Sequence, residues 1–211
     1  MNQQSGLSIA LLSESDGPAG AEKMLLHLAE ALRERGYAVC PVVPGNGCGW
    51  LPAEFRRRAF TPELFVMRRP VDWRCLLGLV NMLRRRGVEL VHSHDFTMAV
   101  YGAAAAGILR RPHVITMHGG RYFAGRWSRR VALRAAAGRA AAAVAVSAAL
   151  QADLATVLRL PRAAIPARRT ARHHVMADPV TGGQGCRTCA RLLAPDCGSD
   201  REQPTAEDDH R

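Results

Sequence analysis

The stretch Leu7-Ser8-Ile9-Ala10-Leu11-Leu12, followed by Ser13-Glu14-Ser15-Asp16-Gly17-Pro18-Ala19-Gly20-Ala21-Glu22, decides the fold. An apolar run, a glycine-bearing turn and an amphipathic segment succeed one another. The run reads as a buried strand. From residue 22, Met24, Leu25, Leu28, Ala29 and Leu32 recur at helical spacing, with Lys23, Glu30 and Glu34 on the other face. A helix N-terminus carries roughly +0.5 charge and unsatisfied N–H donors, so this turn is a natural seat for phosphate. Gly36 supplies the helix stop.

Working outward, the alternation continues. Residues 37–43 form a second apolar run closed by the loop signal Pro44-Gly45-Asn46-Gly47. A loop region follows, with a short strand expected at 64–67. Asp72 can cap a helix carrying Trp73, Leu76, Leu77, Val80 and Leu83 on one face. The remaining segments read as strand 89–93, helix 97–109, strand 113–117, helix 127–139, strand 142–146 and a helix from Ser147 to Leu158. Strands separated by helices of this length predict an α/β domain: a single Rossmann-like parallel sheet with helices on both faces. Ligands of such sheets bind outside the carboxyl ends of the strands. The Gly17 turn, the segment His92-Ser93-His94-Asp95 and the segment His118-Gly119-Gly120 all fall at such ends.

The expected domain is residues 1–165. In residues 166–211 only Val175, Met176, Val180, Leu192 and Leu193 are Leu, Ile, Val, Met or Phe, too few to bury a core, so a disordered tail is expected. Residues 166–211 hold 7 basic and 7 acidic residues, so the net charge of +11 belongs wholly to the body. Lys23 is the single lysine; the positive charge is otherwise arginine. Such a surface favours anionic partners. The N-terminus lacks a positive n-region and no apolar run approaches a membrane span, so a cytoplasmic location is expected, with peripheral attachment to the inner membrane face as its extension.

Each motif has a plain structural reading beside a functional one. The Gly17–Gly20 turn is not a dinucleotide fingerprint: there is no G-x-G-x-x-G and no acidic residue ends the second strand. Glu22 can complement the helix dipole, hold a sugar hydroxyl or order the turn. His92 and His94, two apart, point to one side of a strand end and, with Ser93 and Asp95, suit a binding site. A zinc site there is the rival, without a third ligand at an obvious spacing. His118 can donate to a hydroxyl or phosphate oxygen or move a proton, while Gly119 and Gly120 let a ligand approach the backbone. Arg121, Arg126, Arg129, Arg130 and Arg134 interleave with Tyr122, Phe123, Trp127, Val131 and Leu133, either as a solvated face or as an interfacial helix against an anionic membrane surface. Nucleic acid is not expected as a partner, since no binding motif accompanies the charge. Cys186 and Cys189, a single CxxC in the tail, are assigned to chance.

Together, Gly17-Pro18-Ala19-Gly20-Ala21-Glu22, Leu90-Val91-His92-Ser93-His94, Val114-Ile115-Thr116-Met117-His118-Gly119 and Ala143-Val144-Ala145-Val146-Ser147 resemble the N-terminal domain of GT-B-fold glycosyltransferases of family four. The resemblance runs from about residue 7 to 165. It implies a retaining transferase that moves a sugar from a nucleoside-diphosphate sugar to a hydroxyl of a glycan or lipid-linked acceptor, with no metal or other cofactor. It further implies that Gly17, Ala19, Gly20, Glu22 and Gly119 face the donor phosphate and sugar, that His118 is catalytic, and that His92, His94 and Asp95 lie toward the acceptor. Ala19 stands where the family often has glycine, so a positive φ there would be strained. Ala164-Ile165-Pro166 resembles the start of the family's crossover, after which the pattern dissolves. The expectation is a chain holding one half of the enzyme and inactive alone. The alternatives are a non-catalytic module that binds a phosphorylated or lipid-linked acceptor, and half of a sugar-nucleotide epimerase of the same architecture.

Overall fold

Strand β1 (Ser8–Leu12) is central because its residues are apolar on both faces: Ile9, Ala10, Leu11 and Leu12 are all buried. The computed structural model describes residues 6–119, 126–159 and 165. After β1 come α1 (Gly20–Glu34), β2 (Ala38–Pro44), α2 (Trp50–Arg57), β3 (Glu63–Phe65), α3 (Trp73–Arg85), β4 (Leu90–His94), α4 (Asp95–Leu109), β5 (His113–Met117), α5 (Trp127–Ala137), β6 (Ala142–Ala145) and α6 (Ala148–Leu158). The strands pair in parallel in the order β3-β2-β1-β4-β5-β6. The order turns back at β1, so the connections leaving the paired strands β1 and β4 run to opposite faces of the sheet and leave a crevice at their carboxyl ends.

Side-chain alternation along β1 divides the core. Ile9 and Leu11 pack with Leu25, Leu26, Leu51 and Phe55 under α1 and α2. Ala10 and Leu12 pack with Leu79, Leu83, Met98 and Tyr101 under α3 and α4. A third cluster joins α4, α5 and α6 over β5 and β6, and Ile165 is buried in it. Burying each such Leu or Phe contributes about 1.5–3 kcal/mol, so the two-faced sheet is the main source of stability.

Caps set the helix starts. The Asp72 carboxylate accepts from the N–H groups of Arg74 and Cys75, both at 3.1 Å, and Ser147 accepts from Leu150 at 3.2 Å. Gly102 lets α4 lie close on β4: a Cβ there would stand 2.0 Å from Ser93 Oγ.

The expected architecture is observed, with two local differences. The loop region after β2 contains α2, whose Leu51 and Phe55, one turn apart, are fully buried. Pro52 lies in its first turn, where a proline removes no helical bond. Strand β3 begins at Glu63, because pairing of Glu63 with Val42 and Phe65 with Pro44 sets its limits. Ala19 has φ −100°, so the turn needs no positive φ there and alanine fits unstrained. Expectations about Gly120, Arg121, Tyr122, Phe123, the tail and Cys186 and Cys189 lie outside the described residues.

Candidate functional site

Three strand ends build the site. At the end of β1, Ser13 N–H bonds the carbonyl of Val42 at 3.0 Å, and the chain turns through Asp16. Asp16 is buried, and its carboxylate accepts from the N–H groups of Cys48 (3.2 Å) and Gly49 (2.7 Å), tying this loop to the start of α2. So anchored, Gly17, Pro18 and Ala19 lead into α1, whose N-terminus has no side-chain cap. Pro18, Ala19 and Gly20 are exposed, and a Cβ on Gly17 or Gly20 would meet no protein atom within 4 Å. Neither glycine is demanded by neighbouring protein atoms. The turn leaves open space beside uncapped N–H donors, the arrangement that receives an anion.

Glu22 is the second helical residue after Gly20 and is buried. Its Oε1 accepts from the Ser15 hydroxyl, and its buried Oε2 has no partner among the described residues. An unpartnered carboxylate oxygen at a crevice is costly, and a ligand hydroxyl would satisfy it.

At the ends of β4 and β5 three imidazoles stack. Register pairs His94 with Thr116, so β4 residues 92 and 94 share a face with β5 residues 116 and 118. The rings of His92 and His94 lie 4.5 Å apart, and those of His94 and His118 5.3 Å. His94 Nδ1 bonds His118 Nε2 at 3.0 Å, and His92 Nε2 bonds Thr116 Oγ1 at 2.9 Å. Burial pushes His92 down to about 4 and His94 well below the ordinary histidine value. His118 is also lowered by burial, while Asp95 and then Glu22 pull it back up. At neutral pH the stack is therefore uncharged, and each ring can donate from one nitrogen and accept at the other. His94 is 2% exposed, beneath His118 rather than at the crevice surface. Among the described residues no group of three His, Cys, Asp or Glu is placed to hold a metal ion.

Asp95 opens α4 with φ +63°, an uncommon conformation that Asp tolerates better than most residues. Its Oδ1 accepts from the His118 N–H at 3.1 Å, which fixes the strand end that carries the imidazole. Burial raises the Asp95 pKa. Gly119 follows, exposed, with no protein atom near its missing Cβ.

Two acidic residues escaped sequence reasoning: Asp16, described above, and Glu14. Glu14 accepts from the Thr97 N–H at 2.9 Å in the first turn of α4. Burial raises its pKa to about 7, Asp95 adds to the rise, and the bonds from Thr97 and the charge of Arg129 oppose it. The available signal was the polar run Ser13-Glu14-Ser15-Asp16 between a buried strand and a glycine turn.

Arg126, just before α5, and Trp127 and Arg130 on it are exposed. Arg134 instead donates to the carbonyl of Val157 on α6. No helix among the described residues is long and apolar enough to cross a membrane.

Residues 18–166 match the family model of Glycosyltransferase Family 4. No curated protein matches the chain. Solved structures share the fold. HepE of Anabaena in complex with UDP is 20% identical with a TM-score of 0.63, covering 76% of this chain and 43% of its own. A glycosyltransferase from Rickettsia africae is 16% identical with a TM-score of 0.65, over 77% of this chain and 42% of its own. A Listeria monocytogenes protein assigned as a UDP-N-acetylglucosamine 2-epimerase is 12% identical with a TM-score of 0.57, over 77% and 45%. The chain thus spans less than half the length of these structures.

Proposed function

Because the chain belongs to glycosyltransferase family 4, we propose that it forms the acceptor-side half of an enzyme that transfers a sugar, with retention, from a nucleoside-diphosphate sugar to an acceptor hydroxyl. The observation that carries this reading is the uncapped start of α1 behind a turn whose glycines face open space, beside the orphan Oε2 of Glu22. The donor diphosphate would rest on the turn, where N–H groups and the helix dipole offset its charge. Glu22 would accept from a sugar hydroxyl, and the neutral His118 would hydrogen-bond the transferred sugar as charge develops. His94 and Asp95 hold His118 in place from below, through its ring and its N–H. His92 stands at the inner end of the stack, beyond His94, so it would bear on the acceptor, a glycan or lipid-linked hydroxyl, through its neighbours. This reading calls on no cofactor. Location on the cytoplasmic side, against an anionic membrane surface, belongs to the same proposal.

An epimerase half is the second reading, favoured only by the Listeria neighbour of the same fold. A non-catalytic module for a phosphorylated acceptor is the third. The test is a titration of the isotopically labelled chain with UDP-glucose, UDP and glucose, followed by amide shifts. The expected result is millimolar binding of the two nucleotides that moves Gly17, Gly20 and His118, with no response to glucose. Shifts scattered away from the turn, or none with millimolar nucleotide, would overturn the proposal.

A further inference from the structure

His118 reaches the crevice through one ring nitrogen only. Its Nε2 is taken by His94 Nδ1 at 3.0 Å. Its Nδ1 makes no hydrogen bond to the described residues and is not buried, so this is the nitrogen a ligand would meet. Whether Nδ1 carries a proton or a bare lone pair decides what chemistry the crevice can hold. In a neutral histidine that choice is set by the bond made at the other nitrogen.

A bond between two ring nitrogens needs one proton and one lone pair, and burial keeps both rings short of a second proton. Two arrangements satisfy it. In the first, His118 Nε2–H donates to His94 Nδ1, and the single proton of His94 then sits on its Nε2. That atom is buried without a partner, since His92 spends its own Nε2 on Thr116 Oγ1 at 2.9 Å. It would be a stranded N–H, a group that folded proteins rarely leave unmet. In the second, His94 Nδ1–H donates to His118 Nε2. His94 Nε2 is then only a bare lone pair, and His118 carries its proton on Nδ1. Nδ1 is the ring nitrogen nearer the main chain, where Asp95 Oδ1 lies 3.1 Å from the His118 backbone nitrogen. The charges of Asp95 and then Glu22 favour a proton on this ring. Burial and charge both select the second arrangement.

We infer that His94 is a positioning residue that holds His118 in its Nδ1–H form, so that His118 presents a hydrogen-bond donor, never an acceptor, to the occupant of the crevice. An ammonium group, which only donates, finds no partner in that ring. Glu22, whose charge reaches His118, offers the complementary acceptor at its orphan Oε2. A donor and an acceptor facing one crevice fit a hydroxyl, which can accept from the imidazole and donate to the carboxylate. That this hydroxyl belongs to the transferred sugar rests on the transferase reading; the form of the ring does not.

The full chain, labelled with nitrogen-15 in its histidines, is read at neutral pH by long-range proton–nitrogen correlation, which separates protonated from bare ring nitrogens. His118 is expected with its proton on Nδ1 and a bare Nε2. Coupling across the hydrogen bond should join that Nε2 to the protonated Nδ1 of His94. In His94→Asn the side-chain amide can donate from about the place of Nδ1, so His118 should stay in the Nδ1–H form. In His94→Ala the ring should revert mainly to Nε2–H, the form that free histidine favours. A parent chain with His118 as Nε2–H, or with both its nitrogens protonated, would overturn the inference. So would a folded His94→Ala in which His118 keeps the Nδ1–H form, since His94 would then serve packing alone. The coupling is read in the parent chain, so the test stands whether or not the buried variants fold. The Nδ1–H form without any amide response to UDP-glucose would sink the transferase reading and leave the role of His94 intact.

Discussion

His118 sits where three influences meet: burial holds its imidazole neutral, Asp95 fixes its backbone, and His94 fixes its ring. Neutrality has a consequence for stability. His92 and His113 titrate near 4 in the fold against 6.5 when unperturbed, His113 buried with Ser93 Oγ at 2.9 Å. Above about pH 6.5 they are uncharged in both folded and unfolded chains and contribute no pH dependence. As pH falls toward 4, the unfolded chain takes protons that the fold refuses, and stability drops. Glu14 acts in the opposite sense. Raised from 4.5 to about 7, it binds a proton in the fold first, so its contribution is full below 4.5 and is lost as pH rises through 7. Between pH 7 and 4.5 it offsets part of the histidine loss. Thermal melts across this window should show falling stability as the solution is acidified, and Glu14→Gln should steepen the fall. An unchanged or shallower slope in the variant would show that Glu14 keeps an ordinary pKa. The histidines stood out in the sequence as a cluster. Glu14 did not, because its environment comes from Thr97, 83 residues away.

At the scale of elements, α4 carries two glycines with opposite roles. Gly102 faces β4, and a Cβ there would also lie 2.9 Å from His113 Nε2. Gly107, on the same helix, has no protein atom within 4 Å of its missing Cβ. Gly102→Ala should therefore destabilise by about 1–3 kcal/mol through overpacking, whereas Gly107→Ala should stabilise by about 0.5–1 kcal/mol through helix propensity. Urea unfolding of the two variants checks this, and shifts of the same sign would contradict the close α4–β4 packing. Element reading from sequence worked best where periodicity and caps agreed: β5, α3 and α6 lie where Asp72, Ser147 and the apolar spacing put them. It missed α2, whose two-residue apolar face is too short to establish a period. The limits of β3 likewise depend on the partner strand rather than on its own side chains.

For the whole molecule, the chain covers 43% and 42% of two solved structures of the same fold, and on the proposed reading it forms one wall of a cleft. Holding donor and acceptor in register can lower a barrier by roughly 7–11 kcal/mol, which a single open wall cannot provide. The 211-residue chain incubated with labelled UDP-glucose and candidate acceptors should therefore turn over near background. With a matching donor-side domain joined to it, His118→Ala should reduce kcat far more than it raises KM. Robust transfer by the chain alone would refute this division of labour. The order of strands and of every helix but α2, the parallel sheet and the glycine turn at a helix start were legible in the chain alone, because hydrophobic period, caps and glycines act within a few residues of one another. That His94 lies under His118, and that Asp16 and Glu14 brace the turn and α4, emerges only from the folded chain. Those relations depend on strand register and crossover hand, which bring together residues far apart in the chain and leave no local pattern to read.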